Sequence, residues 1–202
     1  MAILERIKSS SDLKSLTRDE LRVLADEMRA FLIDSCSRTG GHIGAGLGVV
    51  ELAIALHTAF DTPSDQLVWD VGHQGYPHKL LTGRRALMGR LRQESGAAGF
   101  LDRSESPFDA WGAGHASSGI SAAIGLAEAS ARLGQRRRVV AIIGDGALTG
   151  GLAFEGLENV GARDLIVVLN DNGMSIAPNV GGIARMLARS DVDLVQAARL
   201  QK

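Results

Sequence analysis

Two short apolar runs constrain this chain more than anything else in it. Residues 138–144 read RVVAIIG and residues 165–170 read LIVVLN, aliphatic and β-branched at almost every position. A strand with one wet face alternates apolar and polar residues, whereas a run apolar throughout must be covered on both faces, as in a parallel sheet between helices. Residues 150–160 between them have helical propensity, so the segment reads as β-α-β with a right-handed crossover. A third run, QLVWDV at 66–71, is short and apolar and stops at Gly72-His73, which makes it another strand. The expected fold is α/β, a parallel sheet flanked by helices, with both later strands buried and any ligand at the carboxyl ends of the strands.

The remaining segments supply the helices. Thr17 and Glu20 form a capping box ahead of Leu21, Leu24, Met28, Phe31 and Leu32, a helical spacing that continues to about Thr39-Gly40. After a glycine-rich turn, GGHIGAGLG, residues 49–60 predict a second, largely buried helix stopped by Asp61-Thr62-Pro63. Residues 77–92 read as a basic amphipathic helix, 93–113 as a long loop without period, and 117–133 as a small-residue helix with a serine cap. Residues 183–202 carry Ile183, Met186, Leu187, Leu194 and Val195 at helical spacing, a tail after the motif-bearing region 16–182. At 202 residues with 45% apolar and 22% charged composition, one domain is expected.

Charge excludes some partners. A formal net charge of -1 leaves no basic surplus for nucleic acid or an anionic membrane, and no stretch approaches the ~20 apolar residues that span a bilayer. The N-terminus, MAILERIKSSSDLKSL, lacks the apolar core of a signal peptide, and the one cysteine, Cys36, sits in an apolar helical pattern. A cytoplasmic, unprocessed protein is expected.

The chemistry concentrates where strands end. Gly144-Asp145-Gly146 closes one strand, and Asn172 follows the next inside LNDNGMS, 27 residues after Asp145. Magnesium favours an octahedral oxygen shell with one or two protein carboxylates, the rest being neutral oxygens, water and phosphate. The glycines let backbone N–H groups approach phosphate oxygens, and Ala147 to Thr149 lead into a helix whose N-terminus favours the same anion.

GDG followed at this distance by asparagine is similar to the thiamine-diphosphate fingerprint of transketolase-like enzymes. GGHIGAGLGVVEL, WDVGHQGYPHKLLTGRR, GHASSGISAAIGLA, GDGALTGGLAFEGLENVG and LNDNGMSIAPNVG occur in order. Together they resemble the 1-deoxy-D-xylulose-5-phosphate synthase family, over its domain that anchors the cofactor diphosphate. The resemblance implies that Asp145, Asn172 and the Met174 carbonyl hold Mg2+, and that His73, Gly114, His115, Ala116, Gly146, Ala147 and Asn172 line thiamine diphosphate. It implies that His42 and His73 face the reacting centre, where near-neutral side chains suit proton transfer. The implied reaction joins pyruvate, after loss of carbon dioxide, to glyceraldehyde 3-phosphate, serving isoprenoid precursor and thiamine biosynthesis.

That family carries two further domains, one supplying the glutamate that activates the cofactor, so a truncated, single partial domain is expected here. It would be inactive without a completing pyrimidine-domain chain, in a homo- or hetero-oligomer. The alternative is a non-catalytic paralogue that binds cofactor weakly or docks onto the full-length enzyme. Gly173 stands where the family usually has an acid, Gly75 where alanine is common and Ala116 where serine is common. His57, His78, Trp69 and Trp111 are read as structural, and the runs Arg84-Arg85 and Arg136-Arg137-Arg138 as solvated faces without a role. A dinucleotide-binding domain would place its glycine fingerprint after a strand, but GGHIGAGLG follows a helix.

Overall fold

The structure is a computed structural model that describes residues 2–112, 114, 117–161, 163–171, 180–182 and 185. Helix α1 (Ile3–Arg6) and a 3-10 turn (Ser10–Ser15) precede α2 (Arg18–Thr39), α3 (Ile43–Leu47) and α4 (Val50–Ala59). Strand β1 (Gln66–Trp69) is followed by α5 (Tyr76–Leu81), α6 (Arg85–Met88) and α7 (Gly119–Arg132). Strand β2 (Val139–Gly144), α8 (Asp145–Leu148), α9 (Gly151–Glu158) and β3 (Leu165–Asn170) complete the described elements.

The three strands pair in parallel in the order β1-β2-β3, so β2 is central. Its alternate residues explain why the whole run is apolar. Val140 and Ile142 point into a core shared with α2, α4 and α5, where Leu24, Met28, Leu32, Ala53 and Leu80 are buried. Val139, Ala141 and Ile143 point the other way, against Ile120, Ala123 and Ala127 of α7 and Ala153 of α9. Helices therefore cover both faces, as expected of the α/β class.

Local signals hold where they were strong. Thr17 caps α2, accepting the Glu20 N–H while Glu20 accepts the Thr17 N–H, and Cys36 is buried on that helix with its thiol pushed up by burial. Trp69 is buried, and Trp111 packs half-buried against the second core.

Five expectations need correction. The helix read over 77–92 is two short pieces, α5 and α6, because Gly83 between them takes a φ of 84° and lies against the Lys8 backbone, where an added Cβ would sit 2.5 Å from the Lys8 carbonyl. Nor is it a surface helix, since every residue of α5 is buried. The turn GGHIGAGLG contains the helical segment α3, whose Gly46 packs on Tyr76. Strand β3 is half-exposed rather than buried, with Ile166 42% and Leu169 40% exposed, because among the described residues it pairs only with β2 and forms an edge. Arg84 is only 5% exposed and ion-paired, whereas Arg136 and Arg138 are exposed as expected. The serine before α7 makes no side-chain cap; the cap comes from a distant residue, Asp70. The helical tail read over 183–202 lies outside the described residues apart from Arg185.

Candidate functional site

The parallel register sends the chain out of all three strands at one rim. After β1, Asp70 extends the ladder through its N–H to the Ile142 carbonyl, 2.8 Å, and Val71 and Gly72 then turn with φ of 58° and 81°. This turn delivers His73. Two residues on, Gly75 begins α5 against Leu101; an added Cβ would lie 2.7 Å from Leu101 Cδ2 and 3.1 Å from the Gly72 carbonyl. The glycine that departs from the family pattern is therefore matched to a close wall.

His42, far away in sequence, meets His73 edge-on with ring centroids 5.8 Å apart. Its ring also lies 5.4 Å from Phe100 and 6.4 Å from Tyr76. The Tyr76 hydroxyl accepts the His42 backbone N–H at 3.3 Å. Gly41, with φ 142°, permits the approach, since a Cβ there would come within 3.0 Å of the same hydroxyl. Both histidines named from sequence thus share one wall.

Asp145 leaves β2 as the first residue of α8 and is 8% exposed, with Gly146 and Ala147 half-buried behind it. Asp171 leaves β3 beside it in register, since Gly144 pairs with Asn170. Between these two and the His73 turn comes the lead into α7. Gly119 donates its N–H to Asp70 Oδ1 at 2.7 Å, and Gly150 lies so close to Ser117 that a Cβ would meet its hydroxyl at 2.5 Å. Ser117 and Gly119 are therefore held between the β1 turn and the connection from α8 to α9. Among the described residues nothing lies within 4 Å of where side chains at Gly112 and Gly114 would project. His115, Ala116, Asn172 and Met174 lie outside the described residues, so His42, His73, Gly114, Asp145, Gly146 and Ala147 are the candidate residues the structure places. Among the described residues no three acidic, histidine or cysteine side chains gather to hold a metal. Of the expected set of one carboxylate, one amide and one carbonyl, only Asp145 lies among the described residues.

Asp70 was not singled out by sequence, yet it ties the β1 turn to α7. It is 2% exposed, its Oδ2 has no hydrogen-bond partner among the described residues, and burial pushes its carboxyl up against the opposing pull of the Gly119 N–H.

Residues 4–201 match the family model described as 1-deoxy-D-xylulose-5-phosphate synthase. The chain belongs to the 1-deoxy-D-xylulose-5-phosphate synthase family. Proteins of that name are 59% identical in Thiobacillus denitrificans, over 190 residues, and 59% in Thioalkalivibrio sulfidiphilus, over 189. One from Cupriavidus necator is 58% identical over 191 residues. Each alignment covers 93% of this chain and 30% or 31% of the relative, so the chain spans about a third of the length of these synthases.

A second polar cluster in this synthase-family chain lies beneath the rim and was read from sequence as packing and solvated charge. Arg84 grips Asp109 with both terminal nitrogens, at 2.7 and 2.8 Å, and reaches Glu105 at 2.8 Å; Lys79 reaches the same Glu105 oxygen at 2.5 Å. His78 Nε2 lies 3.0 Å from Asp109 Oδ1, and its Nδ1 lies 2.8 Å from His57 Nε2. Because the ionised Asp109 only accepts, His78 must donate from Nε2 and accept at Nδ1, so His57 donates from Nε2. His57 Nδ1 then accepts the Thr62 hydroxyl at 3.0 Å, and Thr62 accepts the Ser10 hydroxyl at 2.9 Å. Burial, aided by His78 and Arg84, holds His57 well below the ordinary histidine value. Burial also lowers His78, against the pull of Asp109. For Asp109 burial alone would raise the carboxyl, but its bonds from His78 and Arg84 outweigh this and hold it far below the carboxylate range. The reading of His57 and His78 as structural stands.

Proposed function

We propose that this chain forms the diphosphate-anchoring part of a 1-deoxy-D-xylulose-5-phosphate synthase, a transferase that joins pyruvate to glyceraldehyde 3-phosphate with thiamine diphosphate and Mg2+. The observation that carries the reading is Asp145, nearly buried at the end of the central strand, on the rim where His42 and His73 meet. The site suits an anionic group held by a metal: one carboxylate, glycine-lined open space at Gly112 and Gly114, and the N-terminus of α9 at Gly150 and Gly151. Asp145, Asn172 and the Met174 carbonyl would hold Mg2+. Gly114, His115, Ala116, Gly146, Ala147 and Asn172 would line the cofactor. Bound there, the cofactor would supply the nucleophilic carbon for pyruvate decarboxylation.

The chain's own residues would then orient and exchange protons. His73, fixed by the strained turn after β1, and His42, fixed by Tyr76, are half-buried rings able to donate to or accept from a substrate oxygen. The motif-bearing region 16–182 would constitute the anchoring unit. The cofactor's pyrimidine-side activation and a partner chain belong to this proposal, as does a cytoplasmic setting. Among the described residues no helix is long and apolar enough to cross a membrane.

Calorimetric titration with thiamine diphosphate, with and without Mg2+, tests the reading. Metal-dependent binding that falls at least tenfold in Asp145→Ala supports it. Binding that ignores Mg2+ and the substitution would overturn the assigned anchor and favour the alternative, a non-catalytic paralogue that binds weakly or docks onto the full-length enzyme.

A further inference from the structure

We propose that the buried network of Lys79, Glu105, Arg84, Asp109 and His78 is a positioning device that fixes the His42 ring through residues 98–102 of the long loop. Among the described residues the loop between α6 and α7 has no helix or strand of its own, yet two of its acids, Glu105 and Asp109, anchor it at two points. Glu105 Oε2 accepts the Ala98 N–H at 2.6 Å, and Asp109 Oδ2 accepts the Asp102 N–H at 2.9 Å. Each acid is in turn clamped by cations from α5 and the turn after it: Lys79 and Arg84 on Glu105, Arg84 on Asp109. Phe100 and Leu101 lie between the two anchored N–H groups. Phe100 faces the His42 ring at 5.4 Å, and Leu101 is buried against Gly75, the start of α5 after the His73 turn.

The geometry is costly to build for packing alone. Burying four charges is a poor source of stability compared with apolar residues of similar volume, and such networks are better suited to selecting one arrangement. Here the selected arrangement sets Phe100 against the His42 ring and Leu101 against Gly75, at the start of α5. His57 continues the network toward Thr62, whereas Glu105 and Asp109 bond the loop segment that carries Phe100.

The inference rests on the reading that His42 faces the reacting centre, and its test separates the two. In the full chain, the titration midpoint of the His42 ring is followed by imidazole NMR; among the described residues the ring's neighbours include His73, Tyr76 and Phe100. Glu105→Gln weakens the anchor at Ala98, and Phe100→Leu removes the ring that faces His42 while leaving the charges intact. Each is expected to move the midpoint by about half a unit or more. Ala127→Gly, destabilising but placed in the other core, is expected to leave it unchanged. A His42 midpoint indifferent to both loop variants, or one that Ala127→Gly moves equally, would overturn the positioning role; if Glu105→Gln does not fold, Phe100→Leu decides. Metal-dependent cofactor binding is measured on the same samples. Its absence from the unsubstituted chain counts against the proposed function and leaves the positioning result standing.

Discussion

Lowering the pH from 7.5 to 5.5 should destabilise this protein through His57, and the size of the effect follows from the buried network. His57 is fully buried, donates to His78, accepts from Thr62 and has Arg84 and Lys79 in the same cluster, so a proton there would add an unbalanced positive charge. The folded ring is therefore held neutral, its pKa well below the ordinary value. The unfolded chain takes up that proton near pH 6.5, so below this pH it binds more protons than the folded state, and stability falls as pH falls. With the ring neutral throughout, the loss between pH 7.5 and 5.5 is about 1.4 kcal/mol for His57 alone. His78, also lowered, adds up to about as much again. Asp109 works in a lower window: its depressed carboxyl stabilises the fold above pH ~4 and does not contribute to this slope. With a urea slope of roughly 2 to 3 kcal/mol/M, the pair lowers the unfolding midpoint by about 1 M. The assay is urea unfolding at pH 7.5, 6.5 and 5.5 of the chain and of His57→Gln, each referred to its own value at pH 7.5. Histidines outside the network contribute equally to both and cancel, so the difference reports His57 together with any change that its loss makes at the hydrogen-bonded His78. Identical pH slopes in the two proteins would refute the claim that the fold holds His57 neutral.

Two glycines give sharper tests of packing. Gly83→Ala places a side chain at φ 84° and 2.5 Å from the Lys8 carbonyl, and should cost roughly 2 to 4 kcal/mol in chemical unfolding. A loss under about 0.5 kcal/mol would mean that α5 and α6 are not separated by this contact. Gly119→Ala puts a Cβ 2.8 Å from Asp70 Oδ1 and 3.0 Å from its Cα. Overpacking of roughly 1 to 3 kcal/mol should exceed the ~1 kcal/mol that alanine gains over glycine in a helix, for a net loss near 1 kcal/mol in the same assay. A gain in stability would show that Asp70 and α7 are not in close contact.

Much of the site was legible because its carriers are local. The strand β3 falls at the residues its pattern predicts, and β2 within one residue of it. Asp145 follows β2 because Gly144-Asp145-Gly146 interrupts an apolar run, and His73 follows β1 at the turn that Gly72 marks. What the pattern missed is relational. Arg84 looked like half of a solvated pair because a basic dipeptide carries no record of an acid 25 residues later, and Asp70 looked like a strand residue because its partner N–H lies 49 residues on.

The sequence by itself therefore determined the class of sheet, the capped helix α2 and the family motifs, since periodicity and glycine placement act over a few residues. Only the tertiary structure decided that His42 and His73 share a wall, that two acids pin the loop behind them, and that β3 is half-exposed and, among the described residues, an edge. The physical reason is distance along the chain. Burial of one element is written in its own residues, whereas a buried charge pair or a ring contact exists only when separate elements have packed and excluded water from both partners.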